Sequence, residues 1–285
     1  MTWTEVTIEI PSESSEAVTA ALMDVGCQGV AETGDSLRRI IGYLPPSNNL
    51  DEILDSLENK LETLPEFGLS APTGFTVGQA DDRDWENEWK KHFKPLCIGR
   101  RIVIKPSWEH YEPGPEQIVV ELDPGMAFGT GAHPTTKLCL ELLEDYVNPG
   151  AVIADIGTGS GILSLAAARL GASKVHATDC DDLPRKIAGE NVRTNGLADT
   201  ITIHEMEDFD SAARNCDLVI ANIIASTIID LLPSITKRLK LGGVLIGSGI
   251  VEDRLTDVLV AIDSTGMTLI EVRSDEIWRA VVAKL

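Results

Sequence analysis

A chain of 285 residues with 45 Asp+Glu against 24 Lys+Arg carries a formal charge of −21, and it is long enough for one large or two ordinary domains with a proper core. Apolar residues at 43% and charged residues at 24% give the balance of a soluble globular protein, and no apolar run approaches the roughly 18 residues of a membrane span. Such acidity repels phosphate backbones and anionic lipids while attracting basic partners, so neither direct nucleic-acid binding nor membrane association is expected.

The first residues, Met-Thr-Trp-Thr-Glu, lack a basic region followed by an apolar stretch, so no secretory signal is expected. Five cysteines (Cys27, Cys97, Cys139, Cys180, Cys216) are odd in number, lie far apart and form no CxxC pair. That pattern is neither a disulfide framework nor a zinc site; it predicts that most are small buried thiols in a reducing compartment, with a cytoplasmic location and no metal.

Residues 1–80 predict a small α+β unit. Val6, Ile8 and Ile10 alternate with Thr7 and Glu9 as in a half-buried strand. Val18, Ala21, Leu22 and Val25 follow helical spacing, and Gly26 stands where a helix C-terminus favours a residue free to take positive φ. Arg38–Leu44 predicts a further strand, Ile53, Leu54, Leu57 and Leu61 a second helix behind Asn48, Asn49, Asp51 and Glu52, and Phe75 and Val77 a closing strand. With a weak strand near Val30, the order β-α-β-β-α-β is that of ferredoxin-like domains. This unit holds 13 acidic residues against Arg38, Arg39 and Lys60, a balance of −10. With no evident reaction centre, it is expected to serve recognition or packing.

Residues 81–100 change character. Trp85, Trp89 and Phe93 recur every four residues, one stripe along a helix that Pro95 ends, and interdomain packing is the expected use. Residues 101–285 are assigned to the second domain. Within it, three glycines and two prolines in Leu122–Thr136 exclude regular structure, and Pro134 suits the first turn of a helix. A loop of that composition would work as a lid. His133 is read as a helix-entry or packing residue and not as a base.

From Ala151 onward strand-like and helical segments alternate: strands at Ala151–Ile156, Lys174–Asp179, Thr200–His204, Asp217–Ala221, Gly243–Ser248, Thr268–Val272 and Ile277–Ala283, with helices at Ile162–Leu170, Arg185–Thr194, Ser226–Leu239 and Asp253–Ile262. Such alternation means an α/β fold with a mostly parallel, doubly wound sheet. Only Arg273–Glu276 separates the last two strands, too little for a crossover, so they must form a terminal antiparallel hairpin.

The sharpest local signal is Asp155-Ile-Gly157-Thr-Gly159-Ser-Gly161, an apolar strand running through alternate glycines into an amphipathic helix. Glycines let the backbone turn sharply against a ligand, and the helix start presents unpaired N–H groups. Dinucleotide loops use GxGxxG, and phosphate loops end in GK[ST]; neither pattern is present. Asp before GxGxG resembles instead the first motif of class I S-adenosylmethionine-dependent methyltransferases. Asp179 ends the next strand, 22 residues after Gly157, where a carboxylate can accept both hydroxyls of a ribose. Asn222 ends a further parallel strand, at the carboxyl edge where open sheets bind ligands. Asp208 is read as one surface acid among many.

Together, Asp84-Trp85-x-x-x-Trp89-Lys90, Pro106-Ser107-Trp108, the long Leu122–Thr136 element, the Asp155–Leu163 loop, Ala221-Asn222-Ile223, Gly242-Gly-x-Leu and Ser248-Gly-Ile250 resemble the bacterial methyltransferases of the large-subunit ribosomal protein L11, the PrmA family, over nearly the whole chain. The resemblance implies a Rossmann-like catalytic domain and an N-terminal domain that recognises the ribosomal protein, joined by a linker helix. It implies methyl transfer from S-adenosylmethionine to lysine side chains and the N-terminal amine. It assigns cofactor contacts to Thr136, Gly157, Asp179 and Asn222, with Phe128 closing over them and Asp155 and Gly159 in the loop, and leaves Asn222 to orient the reacting amine. Two departures stand out: the family usually follows the acid with Ile-Asp-Pro where this chain has Cys180-Asp181-Asp182 and Pro184, and Asn222 is followed by Ile-Ile instead of Ile-Leu.

Two other functions compete. One is a methyltransferase for nucleic acid or a small molecule, but Asn222-Ile-Ile-Ala lacks the Asn/Asp-Pro-Pro-aromatic run usual in enzymes that methylate nucleic-acid amines, and the −21 charge opposes it. The other is a non-catalytic docking module that binds cofactor, which the intact Asp155, Gly157, Asp179 and Asn222 disfavour. No feature points to an obligate interface, so a monomer is expected.

Overall fold

The computed structural model describes residues 2–27, 29–34, 37–47, 49–67, 69–72, 74–81, 93–123 and 131–285. These fall into two compact units, one up to Lys94 and the other from Pro95 to Leu285. Trp85 and Trp89 of the expected linker helix, and Phe128, lie outside the described residues.

The first unit contains β1 (Thr2–Pro11), α1 (Ser15–Asp24), β2 (Gly29–Thr33), β3 (Leu37–Leu44), α2 (Leu50–Glu62) and β4 (Phe75–Asp81). Its sheet runs β2-β3-β1-β4 with every neighbour antiparallel, the arrangement of a split βαβ unit. The alternation in β1 does what period two requires: Val6, Ile8 and Ile10 are fully buried and pack with Val18 and Leu22 of α1 and Leu57 and Leu61 of α2. Close approach of α1 to the sheet depends on Gly42, where an added Cβ would stand 2.9 Å from both Cys27 Sγ and Leu22 Cδ2.

The second unit begins with a small sheet that the sequence pattern does not announce: β5 (Leu96–Ile98), β6 (Ile102–Lys105) and β7 (Ile118–Glu121), paired antiparallel and then parallel. Long-range side chains hold these short strands. Glu144, on α3 (Pro134–Tyr146), is almost wholly buried and accepts the backbone N–H of Arg100 at 2.8 Å, Arg101 at 2.6 Å and Ile102 at 3.1 Å. Asn195 brackets Glu121, accepting its N–H at 3.0 Å and donating to its carbonyl at 2.7 Å. Since an unmet buried donor costs about 1–3 kcal/mol, Glu144→Ala is expected to destabilise this unit by roughly 3 kcal/mol. Urea unfolding would read that loss, and an unchanged midpoint would remove Glu144 from the role.

The main sheet follows, with β8 (Val152–Ile156), α4 (Ile162–Arg169), β9 (Lys174–Thr178), α5 (Asp182–Thr194), β10 (Ile201–His204), α6 (Met206–Ala212), β11 (Cys216–Asn222), α7 (Ala225–Arg238), β12 (Leu239–Val251), α8 (Leu255–Ser264), β13 (Thr268–Asp275) and β14 (Trp278–Lys284). Its order is β10-β9-β8-β11-β12-β14-β13. The first five strands pair in parallel; β14 is antiparallel to both its neighbours, as the short final connection requires. Successive residues of β11 serve opposite faces. Leu218 and Ile220 pack with Leu142 and Leu143 of α3 and Leu165 of α4, while Val219 and Ala221 pack with Ile228 and Leu232 of α7 and Val258 of α8.

Three cysteines, Cys27, Cys139 and Cys216, are buried as predicted, whereas Cys97 and Cys180 are exposed; none is in a disulfide. No helix among the described residues is long and apolar enough to cross a membrane.

Candidate active site

The site forms where three parallel strands end together. Ile156 of β8 pairs with Thr178 of β9 on one side and with Ala221 of β11 on the other. One residue further on, Gly157 therefore falls between Asp179 and Asn222, the three positions that sequence placed at strand ends.

The loop after β8 requires its glycines. Gly157, Gly159 and Gly161 have φ of 75°, 55° and 85°, the left-handed region that residues with a Cβ enter at a cost. A Cβ on Gly157 would also lie 2.5 Å from Ile223 Cγ2. The amides of Gly157 and Thr158 both donate to the Thr178 carbonyl, at 3.0 and 2.9 Å, which folds the loop over the end of β9. Gly161 is the N-cap of α4, so the helix start opens toward the loop.

Asp155 supports the turn from beneath. It is fully buried, and its Oδ2 accepts from Thr158 Oγ1 at 2.8 Å and Ser164 Oγ at 2.6 Å. Its Oδ1 is buried and has no hydrogen-bond partner among the described residues. Burial pushes this carboxyl up to about 6, against the opposing hydroxyl bonds.

Asp179 is half-buried and held at both oxygens. Oδ2 accepts the Gly159 N–H at 2.9 Å, and Oδ1 accepts the Asp181 N–H at 3.3 Å. Ligand atoms of Asp179, Cys180 and Asp181 lie within 4.8 Å of one another, with Cys180 and Asp181 exposed; exposed acidic groups of this kind need no ion.

On the far side, Asn222 Nδ2 donates to Thr136 Oγ1 at 3.4 Å. Thr136 is fully buried in the first turn of α3. His133 caps that helix by accepting the Thr135 N–H at 3.3 Å, and its ring meets Trp278 edge-on with centroids 5.1 Å apart; helix entry and packing describe it well. The Ser248 hydroxyl donates to the Thr135 carbonyl at 3.2 Å, and the Ile223 N–H donates to the Ser248 carbonyl at 3.1 Å, so α3, β11 and β12 are tied together beside Asn222. Asp208 is an exposed residue in the first turn of α6.

Of the residues named from sequence, the structure brings together Asp155, Gly157, Gly159, Asp179, Asn222 and Thr136, while Phe128 lies outside the described residues. Sequence reasoning missed Thr158 and Ser164, which satisfy Asp155, and Arg185, whose guanidinium donates to the Asp179 carbonyl at 2.6 Å. A hydroxyl three residues after the motif acid was the available signal for Thr158; Arg185 had none.

Sheet order, terminal hairpin and the Asp-glycine loop on the central strand define the class I methyltransferase fold. The family model for ribosomal protein L11 methyltransferase (PrmA) matches residues 2–285, and the chain belongs to that family. A protein of that name from Pelotomaculum thermopropionicum is 39% identical over 309 aligned positions, covering 100% of this chain and 99% of its own. One from Caldanaerobacter subterraneus subsp. tengcongensis is 37% identical with the same coverage. Among solved structures, a ribosomal protein L11 methylase from Lactobacillus delbrueckii subsp. bulgaricus matches with a TM-score of 0.63 at 33% identity, covering 67% of this chain and 98% of that one.

Proposed function

We propose that this chain, acting as a cytoplasmic monomer, transfers methyl groups from S-adenosylmethionine to amines of ribosomal protein L11, at lysine side chains and the N-terminus. The observation that carries the proposal is Asn222, an uncharged amide fixed by Thr136 beside a glycine loop and a held carboxylate. The residues present suit the cofactor. Left-handed glycines keep Cβ atoms out of the loop, Asp179 is fixed to accept hydroxyl groups, and the unpartnered Asp155 Oδ1 favours a cationic group. Thr136, Gly157, Gly159, Asp179 and Asn222 would hold it, with Asp155 beneath and Phe128 as a further contact that the family resemblance implies.

When bound, the cofactor supplies a methyl group already activated by its sulfonium. The remaining task is to align the nucleophile and exclude water. An ammonium has no lone pair, so the amine must arrive neutral; an apolar site depresses its pKa. Asn222, with backbone carbonyls, orients that amine without the negative charge that would hold its proton. Incubating the protein with methyl-labelled cofactor and purified L11, free RNA or a metabolite extract tests this directly. Label is expected on L11; label on RNA, or none anywhere, would overturn the proposal.

The N-terminal unit supplies recognition in this reading. Asp51, Glu52, Asp55, Glu58 and Glu62 of α2 are all exposed, while Lys60 of the same helix is engaged with Asp24 at 2.9 Å. An acidic face suits a basic, lysine-bearing protein. Because exposed charges are screened within roughly 10 Å at 0.1 M salt, affinity for L11 is expected to fall at least about tenfold between 50 and 300 mM salt. Salt-independent binding in a titration would remove the acidity from recognition.

A further inference from the structure

Arg185 lies in the first turn of α5 with its side chain only 11% exposed, an unusual placement for a residue so near a helix start on an acidic surface. Its Nη1 donates to the Asp179 carbonyl at 2.6 Å. Its Nη2 pairs with Glu205 Oε2 at 2.7 Å and also with Asp182. Asp179 follows β9 and Glu205 follows β10, so a single guanidinium spans the two loops that leave adjacent strands. A second tie below it runs from Thr178 Oγ1 to the His204 carbonyl at 2.9 Å and to Met206 Sδ at 3.5 Å, while the Asp179 carbonyl and the Glu205 carboxylate are gripped by Arg185.

We infer that Arg185 is a positioning residue for the ribose-and-base half of the cofactor: it fixes the backbone at Asp179 and the facing loop at Glu205, and thereby sets where the Asp179 carboxylate stands against the Gly159 amide. The inference rests on the methyltransferase reading above. The chemistry calls for arginine. Two separated acceptors, one a carbonyl and one a carboxylate, are met at once by a rigid planar fork, whereas a lysine ammonium is a point charge on a flexible stem and cannot hold both directions. The carbonyl is bonded by an ion, and charge-assisted bonds of this kind are the stronger ones. Nothing in this arrangement touches Asn222 or Thr136, on the opposite side of Gly157, so the effect belongs to cofactor binding and not to methyl transfer.

The test compares the full-length protein with Arg185→Lys and Glu205→Gln. Calorimetric titration with S-adenosylhomocysteine is expected to show affinity lowered roughly tenfold or more for Arg185→Lys and about threefold for Glu205→Gln. The KM for S-adenosylmethionine should rise in parallel, while kcat and the KM for L11 stay within about twofold, a split that a merely structural role would not produce. Glu205 is largely exposed, so its variant keeps the test decisive if Arg185→Lys fails to fold. Wild-type affinity in both variants, or equal losses in kcat and both KM values, would overturn the inference. Failure of the wild-type protein to bind S-adenosylhomocysteine would instead overturn the methyltransferase reading, and the inference along with it.

Discussion

Asn222→Ala is expected to slow methyl transfer to L11 by roughly 10²–10³-fold in single-turnover experiments at saturating cofactor, the size of effect seen when one preorganised hydrogen-bonding group is removed from a reacting centre. The register that pairs Ala221 with Ile156 places Asn222, the last residue of β11 and still paired with Ser248 of β12, one residue past the pairing with β8 and level with Gly157. Its Nδ2 is committed to Thr136 Oγ1 at 3.4 Å, which leaves Oδ1 to accept from an incoming amine. Asn222→Asp separates orientation from charge. A carboxylate there preserves the acceptor but stabilises the ammonium form of the substrate, so its pH–rate profile should shift to higher pH while the rate at high pH recovers much of the loss. If Asn222→Ala transfers methyl groups at the original rate, orientation by this residue is wrong. If Asn222→Asp has the wild-type pH profile, the uncharged amide has no bearing on the proton.

Features set by local chain chemistry are legible in the sequence. The glycine spacing in Asp155–Gly161 demands a sharp loop, and φ of 75°, 55° and 85° meets that demand. The short Arg273–Glu276 connection forces a hairpin, and β14 is antiparallel to both neighbours. Period-two burial in β1 and strict helix–strand alternation after Ala151 are likewise consequences of nearest-neighbour pattern. The features that escape sequence reasoning depend on partners distant along the chain. Strands of three and four residues between Leu96 and Glu121 are too short to show a period, and they persist through Glu144 and Asn195, about 40 and 75 positions away. Helix α5 begins at Asp182, three residues before its apolar pattern, with Pro184 accommodated in its first turn. The roles of Arg185 and of the orphaned Asp155 oxygen leave no mark on the local pattern, because each is defined by what surrounds it in space.

Asp155 yields the second large effect, a stability that moves opposite to binding as pH changes. Its carboxyl is pushed up to about 6 by burial, well above the ordinary value of 3.8 that it regains on unfolding. Below about pH 4 both states hold the proton. Between about pH 4 and 6 the folded state binds a proton that the unfolded chain has lost, so this group's contribution to stability declines as pH rises through that window. By pH 7 the shift corresponds to about 3 kcal/mol of lost stability. Other carboxylates titrate in the opposite sense, Asp145 and Glu271 being held low by the Arg273 guanidinium, so the effect is read as a difference. Relative to wild type, Asp155→Asn should gain about 2.5 kcal/mol in urea unfolding on going from pH 4 to pH 7. The charge that costs this stability is what a cationic ligand group would use, since Oδ1 has no hydrogen-bond partner among the described residues. Affinity of the wild type for S-adenosylhomocysteine is accordingly expected to be roughly tenfold weaker at pH 5 than at pH 7.5, with proton release on binding near pH 6. Asp155→Asn should bind weakly with no such dependence. A variant that keeps the wild-type pH dependence in both measurements would assign it to other groups, and Asp155 would be left as a support for the glycine turn through Thr158 and Ser164.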